Sequence, residues 1–478
     1  MTDPRDPGAD AIAAALAPAL GPVQVSGITR MSGGASRETW SLEATAADGT
    51  VHELVLRRDP PGRPSGPGAI AREAAVMRAA HEAQLPVPEV LVDADDPTVW
   101  GGAGMVMRRI AGETLGRRIL RDDAYAAARS GLVDACAHAL AQLHRVDPAT
   151  VPGDANEAAD PVRTLRSIID LFDEPVPTFE YALRWLDEHR PESTGHAVLH
   201  GDFRLGNLIV GEDGLRSVLD WELTHVGDPA EDLGWLCVRA WRFGAPLPVG
   251  GLGTREQLLS SYEQHGGASI DASALRWWEV YGTLRWGAIC LTQTAVHLRG
   301  ELRSVELAAI GRRVCETEWD LLLLIAPDRA ALAHDRWAIR HGVGASASAS
   351  SAGGGPDEDA AADPGLHGRP TAAELVESVR EFLTDRVMAE TTGGLAFHAR
   401  VAGNVLAMVE RELRDGPAAA LARSVALDDL GVRTERELAG ALRAGTLQVS
   451  PEQVLDALAD GVVERVGVAN PRYLELPS

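Results

Sequence analysis

The stretch HGDFRLGNLIV, His200 to Val210, constrains this chain more than any other. It sets Asp202 and Asn207 five residues apart at the head of an apolar run, and VLDWE follows with Asp220. The chain holds only four asparagines, at 156, 207, 404 and 470, so one placed here is not background. AVLH before the motif and LIV within it read as strand segments, with the polar residues on the loops between them. A carboxylate at 202 can accept a proton from a hydroxyl. The amide of Asn207 and the carboxylate of Asp220 can each offer an oxygen to magnesium. Phosphoryl transfer asks a protein to hold phosphates, place a metal and set a carboxylate near the attacking hydroxyl. The ordinary alternative, a set of turn aspartates, is the weaker reading because three polar residues meet the spacing together.

Two segments upstream fit the same chemistry. MSGGASRETW, Met31 to Trp40, lies between expected strands. Gly33, Gly34 and Ser36 make a small-residue turn whose amides can bind anions; the same turn also suits a plain hairpin. LVLRRDP then presents Arg57 at a strand end, where its planar fork can grip phosphate oxygens. Glu73, in the helix that follows, can pair with Arg57 and fix it. The competing readings are a surface arginine on an edge strand and an exposed helix glutamate. No lysine occurs anywhere, all 45 basic residues being arginine, which rules out a lysine Schiff base and a Walker phosphate loop. Downstream, in HVGDPAEDLGWL, Asp228 before Pro229 reads as a helix N-cap. Asp232, one turn into that helix, can brace the catalytic loop from behind.

Alternating or apolar runs predict five short strands with one helix among them over the first 109 residues, and a short helix before them from Ala11 to Leu20. Helices follow, with later ones expected near Glu231 to Arg242, Arg255 to His265, Ala272 to Arg299 and Ser304 to Ile325. Residues 342–370 are small, polar and rich in Gly and Pro, the composition of a linker. Thr371 with Glu374 then opens a further helical region with a capping-box pattern. The division expected is 1–109, an N-terminal nucleotide-binding lobe; 110–341, a helical catalytic and substrate lobe; 342–370, a flexible linker; and 371–478, a C-terminal helical domain. The four cysteines have no CxxC spacing and read as buried thiols. The net charge of −24 argues against nucleic-acid binding. No run of apolar residues is long enough for a membrane span, and the acidic start carries no signal pattern, so the expected address is cytoplasmic.

SGGASRETW, VLRRDP, HGDFRLGNLIV, VLDWE and GDPAEDLGWL together resemble the aminoglycoside phosphotransferase-like kinase family over roughly Val23 to Ala326. The likeness is to the branch near the kinase-like domains fused to some acyl-CoA dehydrogenases. It implies an α+β, bilobed protein-kinase-like fold, a small antiparallel sheet lobe plus a helical lobe, followed by a separate all-α domain. It implies ATP and Mg2+ as cofactors. Asp202 would match the catalytic base, and Asn207 and Asp220 the magnesium ligands. Arg57 would match the phosphate-contacting lysine, a departure from the family pattern, and Glu73 its ion-pair partner. Met107 to Ile110 would match the interlobe linker that meets adenine. The C-terminal region resembles an uncharacterised helical domain found beside such kinases.

No activation segment follows LDWE, so a small-molecule hydroxyl acceptor is expected rather than a protein. Trp235, Arg239 and Arg242 would share a helix face at i, i+4 and i+7, as would Trp278, Tyr281 and Arg285 at i, i+3 and i+7. Arg239, Arg242 and Arg285 are therefore candidate contacts to an anionic or hydroxyacyl acceptor. The alternative is tryptophans in the core with arginine stems lying over them. A second function class stays open: a catalytically weak nucleotide-binding module that regulates a protein partner through the C-terminal helices.

Overall fold

The computed structural model describes residues 7–31, 37–61, 64–151, 160–342 and 369–475. The chain divides into two compact units, residues 1–159 with 191–282 and residues 160–190 with 283–478.

The first unit begins with α1, Ala9–Leu20, and a five-stranded sheet of β1 (Val23–Arg30), β2 (Glu38–Ala46), β3 (Val51–Arg58), β4 (Val90–Ala94) and β5 (Gly104–Arg108), with α2 (Ala69–Glu82) between β3 and β4. The strand order is β1-β2-β3-β5-β4, and every neighbouring pair is antiparallel. Side chains alternate across a strand, and in β3 that alternation sorts two adjacent arginines. Leu54, Leu56 and Arg58 are buried on one face, where Ile12 and Leu16 of α1 pack with Trp40, Leu42, Trp100 and Val106. Arg58 survives there because Glu38 accepts from its Nε at 3.2 Å and Nη2 at 3.0 Å, while Nη1 donates to the Trp100 carbonyl. Arg57 points to the opposite face, toward α2. It stands on an interior strand, paired with Thr39 of β2 and Met105 of β5, which removes the edge-strand reading.

After Ala126–Leu143, a long helix, come two small antiparallel ribbons: β6 (Ala197–Leu199) with β9 (His225–Gly227), and β7 (Leu208–Gly211) with β8 (Gly214–Val218). These ribbons hold the two motif loops. The helix expected over 231–242 ends early, at Cys237, and resumes as a 3-10 turn over Arg239–Arg242. The cause is a side-chain cap. Arg242 donates from Nε at 3.2 Å and Nη2 at 2.7 Å to the Cys237 carbonyl, the acceptor a continuing helix would give to Trp241. The expected face of Trp235, Arg239 and Arg242 is therefore not formed.

The second unit is helical in its described residues. The helix expected over 304–325 is broken into Val305–Gly311 and Val314–Ile325. Among the described residues after 370 every element is helical, and Thr371 and Glu374 form the expected capping box. Its helices do not keep a core to themselves. Trp319 and Trp337 pack with Leu427, Leu438, Leu458, Val462 and Val466 in one apolar cluster. A ladder of ion pairs, Arg329–Asp456, Arg336–Asp460 and Arg340–Glu464 at 3.2, 2.8 and 2.6 Å, runs beside it. All four cysteines are free and buried. The linker reading at 342–370 lies almost wholly outside the described residues, and no helix among those described is long and apolar enough to cross a membrane.

Candidate functional site

Three elements of the first unit meet at Arg57. Its Nη1 donates to Glu73 Oε1 of α2 at 2.9 Å; its Nη2 pairs with Asp220, and Glu222 stands 3.4 Å away. Glu73 is not an exposed helix residue: its side chain is 2% accessible. Its second oxygen, Oε2, takes Nη1 of Arg37, whose Nε reaches Asp59 Oδ1 at 3.2 Å. Burial works against the charge on Arg57, but Asp220 and Glu73 outweigh it and hold the guanidinium pKa above its ordinary value. Arg37 and Glu222 are functional candidates that sequence reading passed over. Arg37 lies within SGGASRETW and Glu222 ends LDWE, and their charge was the available signal.

Asp202 sits in the loop after β6, and hydrogen bonds surround it. Oδ1 accepts from Trp235 Nε1 at 2.8 Å and Arg204 Nε at 3.0 Å; Oδ2 accepts from Asn207 Nδ2 at 2.6 Å. A carboxylate has about four lone-pair sites. Both on Oδ1 are filled, and one remains on Oδ2. Arg204 stacks over Trp241, its guanidinium carbon 4.5 Å from the ring centre. Trp235 and Arg204 were not foreseen as neighbours of Asp202; a cation two residues after the aspartate was the available clue for Arg204.

The loop is held from behind. Asp232, with no exposure, accepts the His200 N–H at 2.8 Å, the Gly201 N–H at 2.9 Å and His144 Nε2 at 3.3 Å. This is the bracing role read from the sequence. Burial alone would raise the Asp232 pKa, but those hydrogen bonds and histidines keep it below the ordinary value. Gly201 is required: its φ is +76°, and a Cβ would stand 2.3 Å from the Leu223 carbonyl oxygen. His200 accepts the Asp202 N–H at Nδ1, 3.1 Å, and donates from Nε2 to the Leu219 carbonyl, 3.0 Å. That pattern fixes the neutral tautomer, and burial pushes its pKa down. Asp228 accepts the Ala230 N–H at 2.9 Å, while the N-cap position of the helix Ala230–Cys237 is held by Pro229, one residue later than the sequence reading had it.

Asp220 adopts a left-handed backbone, φ 70°, before the turn Trp221–Leu223. Such a conformation at a non-glycine residue costs on the order of 1–3 kcal/mol and is kept where surroundings require it. The chemistry of the donors suits magnesium. Asp220 gives a carboxylate, and Asn207 spends its Nδ2 on Asp202, leaving Oδ1 with no hydrogen bond in the structure. No group of three or more His, Cys, Asp or Glu that could hold a metal occurs among the described residues. Magnesium needs no such cage, since it takes one or two protein oxygens with phosphates and water.

The remaining sequence candidates fall as follows. Gly33, Gly34 and Ser36 lie outside the described residues. Met107 is buried in β5, opposite Val55 and Val90. Arg239 opens the 3-10 turn and is half-buried. Arg242, besides its cap, pairs with Glu279 at 2.9 Å, which Arg255 also holds at 2.7 Å. Arg285 belongs to the second unit. Trp278 and Tyr281 are buried against each other, rings 5.2 Å apart, and so are core.

Residues 27–278 match the profile of the phosphotransferase enzyme family, and residues 389–473 match a domain of unknown function, DUF6285. The chain is 31% identical to mouse acyl-CoA dehydrogenase family member 10 over 41% of its length, and 32% identical to chicken acyl-CoA dehydrogenase family member 11 over 45%. It spans 19% and 28% of those relatives' lengths. A solved structure from Ralstonia eutropha, a candidate aminoglycoside phosphotransferase, shares the fold at a TM-score of 0.52 and 23% identity, covering 66% of this chain and 98% of that one. The chain belongs to the phosphotransferase enzyme family, in a kinase-like α+β fold with an all-helical C-terminal region.

Proposed function

We propose that the first unit moves the γ-phosphate of ATP to a hydroxyl of a small molecule, with magnesium held by Asn207 and Asp220. One observation carries this reading: Arg57 of the sheet is ion-paired at once to Glu73 of α2 and Asp220 of the LDWE turn. That arrangement supports the reading, since it sets a cation able to grip phosphate beside a carboxylate able to bind magnesium. Magnesium, when bound, neutralises charge developing on the phosphates. Asp202 accepts the acceptor's proton at the remaining site on Oδ2. Trp235 and Arg204 hold the carboxylate in one orientation, and Glu73, itself anchored by Arg37, holds Arg57. The interlobe stretch beginning at Met107 and the Gly33–Gly34–Ser36 turn remain our candidates for adenine and phosphate contacts.

The acceptor we favour is anionic or hydroxyacyl. Arg204 stands beside the base with a quarter of its side chain, 24%, accessible, and it is better placed for this than Arg242, which Glu279 already engages. Arg239 stays as a secondary candidate. The four-segment division, with an interlobe boundary at 109–110, is likewise retained as a proposal. The second reading, a weak nucleotide-binding module acting on a protein through the C-terminal helices, draws on Arg57 standing where the family resemblance calls for lysine. ADP release measured across anionic, neutral and cationic hydroxy compounds decides. Turnover with anionic compounds supports the first reading; turnover only with cationic ones rejects the acceptor class. Mg-ATP binding with no turnover of any acceptor favours the second.

A further inference from the structure

The second unit contains a cavity of about 800 Å3, within the usual range for small-ligand pockets. One part of its lining is apolar and includes Val176, Pro177, Leu291, Val314, Ala426 and Val468. Another part carries two bidentate ion pairs. Arg465 binds Glu318 through Nη2 at 2.7 Å and Nε at 3.2 Å; Arg423 binds Glu435 through Nε at 2.6 Å and Nη2 at 2.8 Å. Gly461 makes room for this pairing, since a Cβ there would stand 2.9 Å from the Arg423 guanidinium carbon.

The two pairs are not equally complete. Arg423 also gives its Nη1 to the Ala457 carbonyl at 2.6 Å. Arg465 Nη1 has only Glu435 at 3.8 Å, too far for a hydrogen bond. Glu318 is 3% accessible, whereas Arg465, which lines the cavity, is 37% accessible. Six carboxylates line the cavity against four guanidinium groups, which by count favours a cation. Pairing reverses that reading. Glu318, Glu435, Glu412 and Glu464 each hold an arginine of the lining, and Asp460 holds Arg336. Glu174 is left, and it is exposed. Arg465 Nη1 is thus a donor of the lining that has no hydrogen-bond acceptor within reach among the described residues, beside the apolar wall.

We propose that this cavity binds an anionic amphiphile, a small molecule with a carboxylate or phosphate head on Arg465 and an apolar tail against the Val, Leu and Pro wall. The site is separate from the Asp202 centre and does not rest on the phosphotransferase reading. The test is calorimetric titration of the full chain with dodecanoate, dodecyl phosphate, dodecanol and dodecyltrimethylammonium, each below its micelle concentration. One-to-one, saturable binding of at least one anion is expected, about tenfold or more tighter than the alcohol or the cation. Ala426→Phe should weaken it about tenfold or more by filling the wall. Removing Arg465 alone strands Glu318, so the paired variant Glu318→Gln with Arg465→Gln is used; it should bind anion and alcohol alike. Whichever anion binds tighter identifies the head group. The proposal is overturned if no anion saturates, if the cation binds as tightly, or if Ala426→Phe keeps the wild-type melting temperature and full affinity.

Discussion

Asp232→Asn tests whether the catalytic loop owes its shape to a buried carboxylate. The side chain is fully buried, and its two oxygens separately accept the His200 and Gly201 amides at 2.8 and 2.9 Å. An asparagine keeps one oxygen and turns an NH2 group toward the other backbone donor. One hydrogen bond to a charged acceptor is lost, worth about 1.5–3 kcal/mol, and one buried N–H is stranded at about 1–3 kcal/mol. Removing a buried charge recovers part of this, which leaves a net cost of about 3 kcal/mol. For a domain of this size that is a fall of roughly 6–12 °C in melting temperature. Scanning fluorimetry gives the shift, and hydrogen exchange at the His200 and Gly201 amides shows where it arises. Both amides should exchange faster, and turnover should fall with them because the base rides on the same loop. A melting temperature within about a degree of wild type, with both amides still protected, would refute the bracing argument.

Other consequences follow from the same geometry. Trp235→Phe removes a 2.8 Å hydrogen bond to the Asp202 carboxylate; kcat should fall about 10- to 100-fold with KM for ATP kept, and a raised KM with normal kcat contradicts the positioning role. The folded-state pKa values of His200 and Asp232 are both depressed, so the unfolded chain binds more protons as the medium is acidified. Stability present at neutral pH should decline as pH falls from about 6.5, where free histidine titrates, with the Asp232 share lost only below about 3.9. Melting temperatures taken from pH 8 to pH 4 check the sign, and a maximum near pH 5 goes against it. Ending the chain at residue 342 uncovers Trp319 and Trp337, which are 0% and 6% exposed. The truncated chain should melt lower and bind a hydrophobic dye, whereas an unchanged melting curve would mean that the C-terminal helices add nothing to that core.

Local rules in the sequence carried much of the fold. Alternating or apolar runs marked the five strands, but that Arg57 and Arg58 lie on opposite faces of β3 emerged only in the structure. The spacing of Asp202, Asn207 and Asp220 pointed to two loops; in the structure Asn207 donates to Asp202 and Asp220 pairs with Arg57, and the catalytic and metal roles are our proposal. What stayed hidden depended on contacts between distant residues. Arg242 ends a helix by bonding to the Cys237 carbonyl, and no propensity in GWLCVRAWR signals that cap. Trp235 reaches Asp202 from 33 residues away, and Arg37 reaches Glu73 from 36. In the second unit Arg443 meets Glu180 across 263 residues, so helices on either side of the expected linker close around one core. The Gly and Pro content of 342–370 speaks only of that segment, not of what the helices beyond it pack against.

Phosphorus NMR of ATP with magnesium and an accepted hydroxy compound tests the central claim most directly. With the wild-type chain the γ-phosphate signal should decay as a phosphate-ester signal grows; with Asp202→Asn both should stand still while titration shows ATP still bound. Equal rates of ester formation in the two proteins would contradict a base at Asp202.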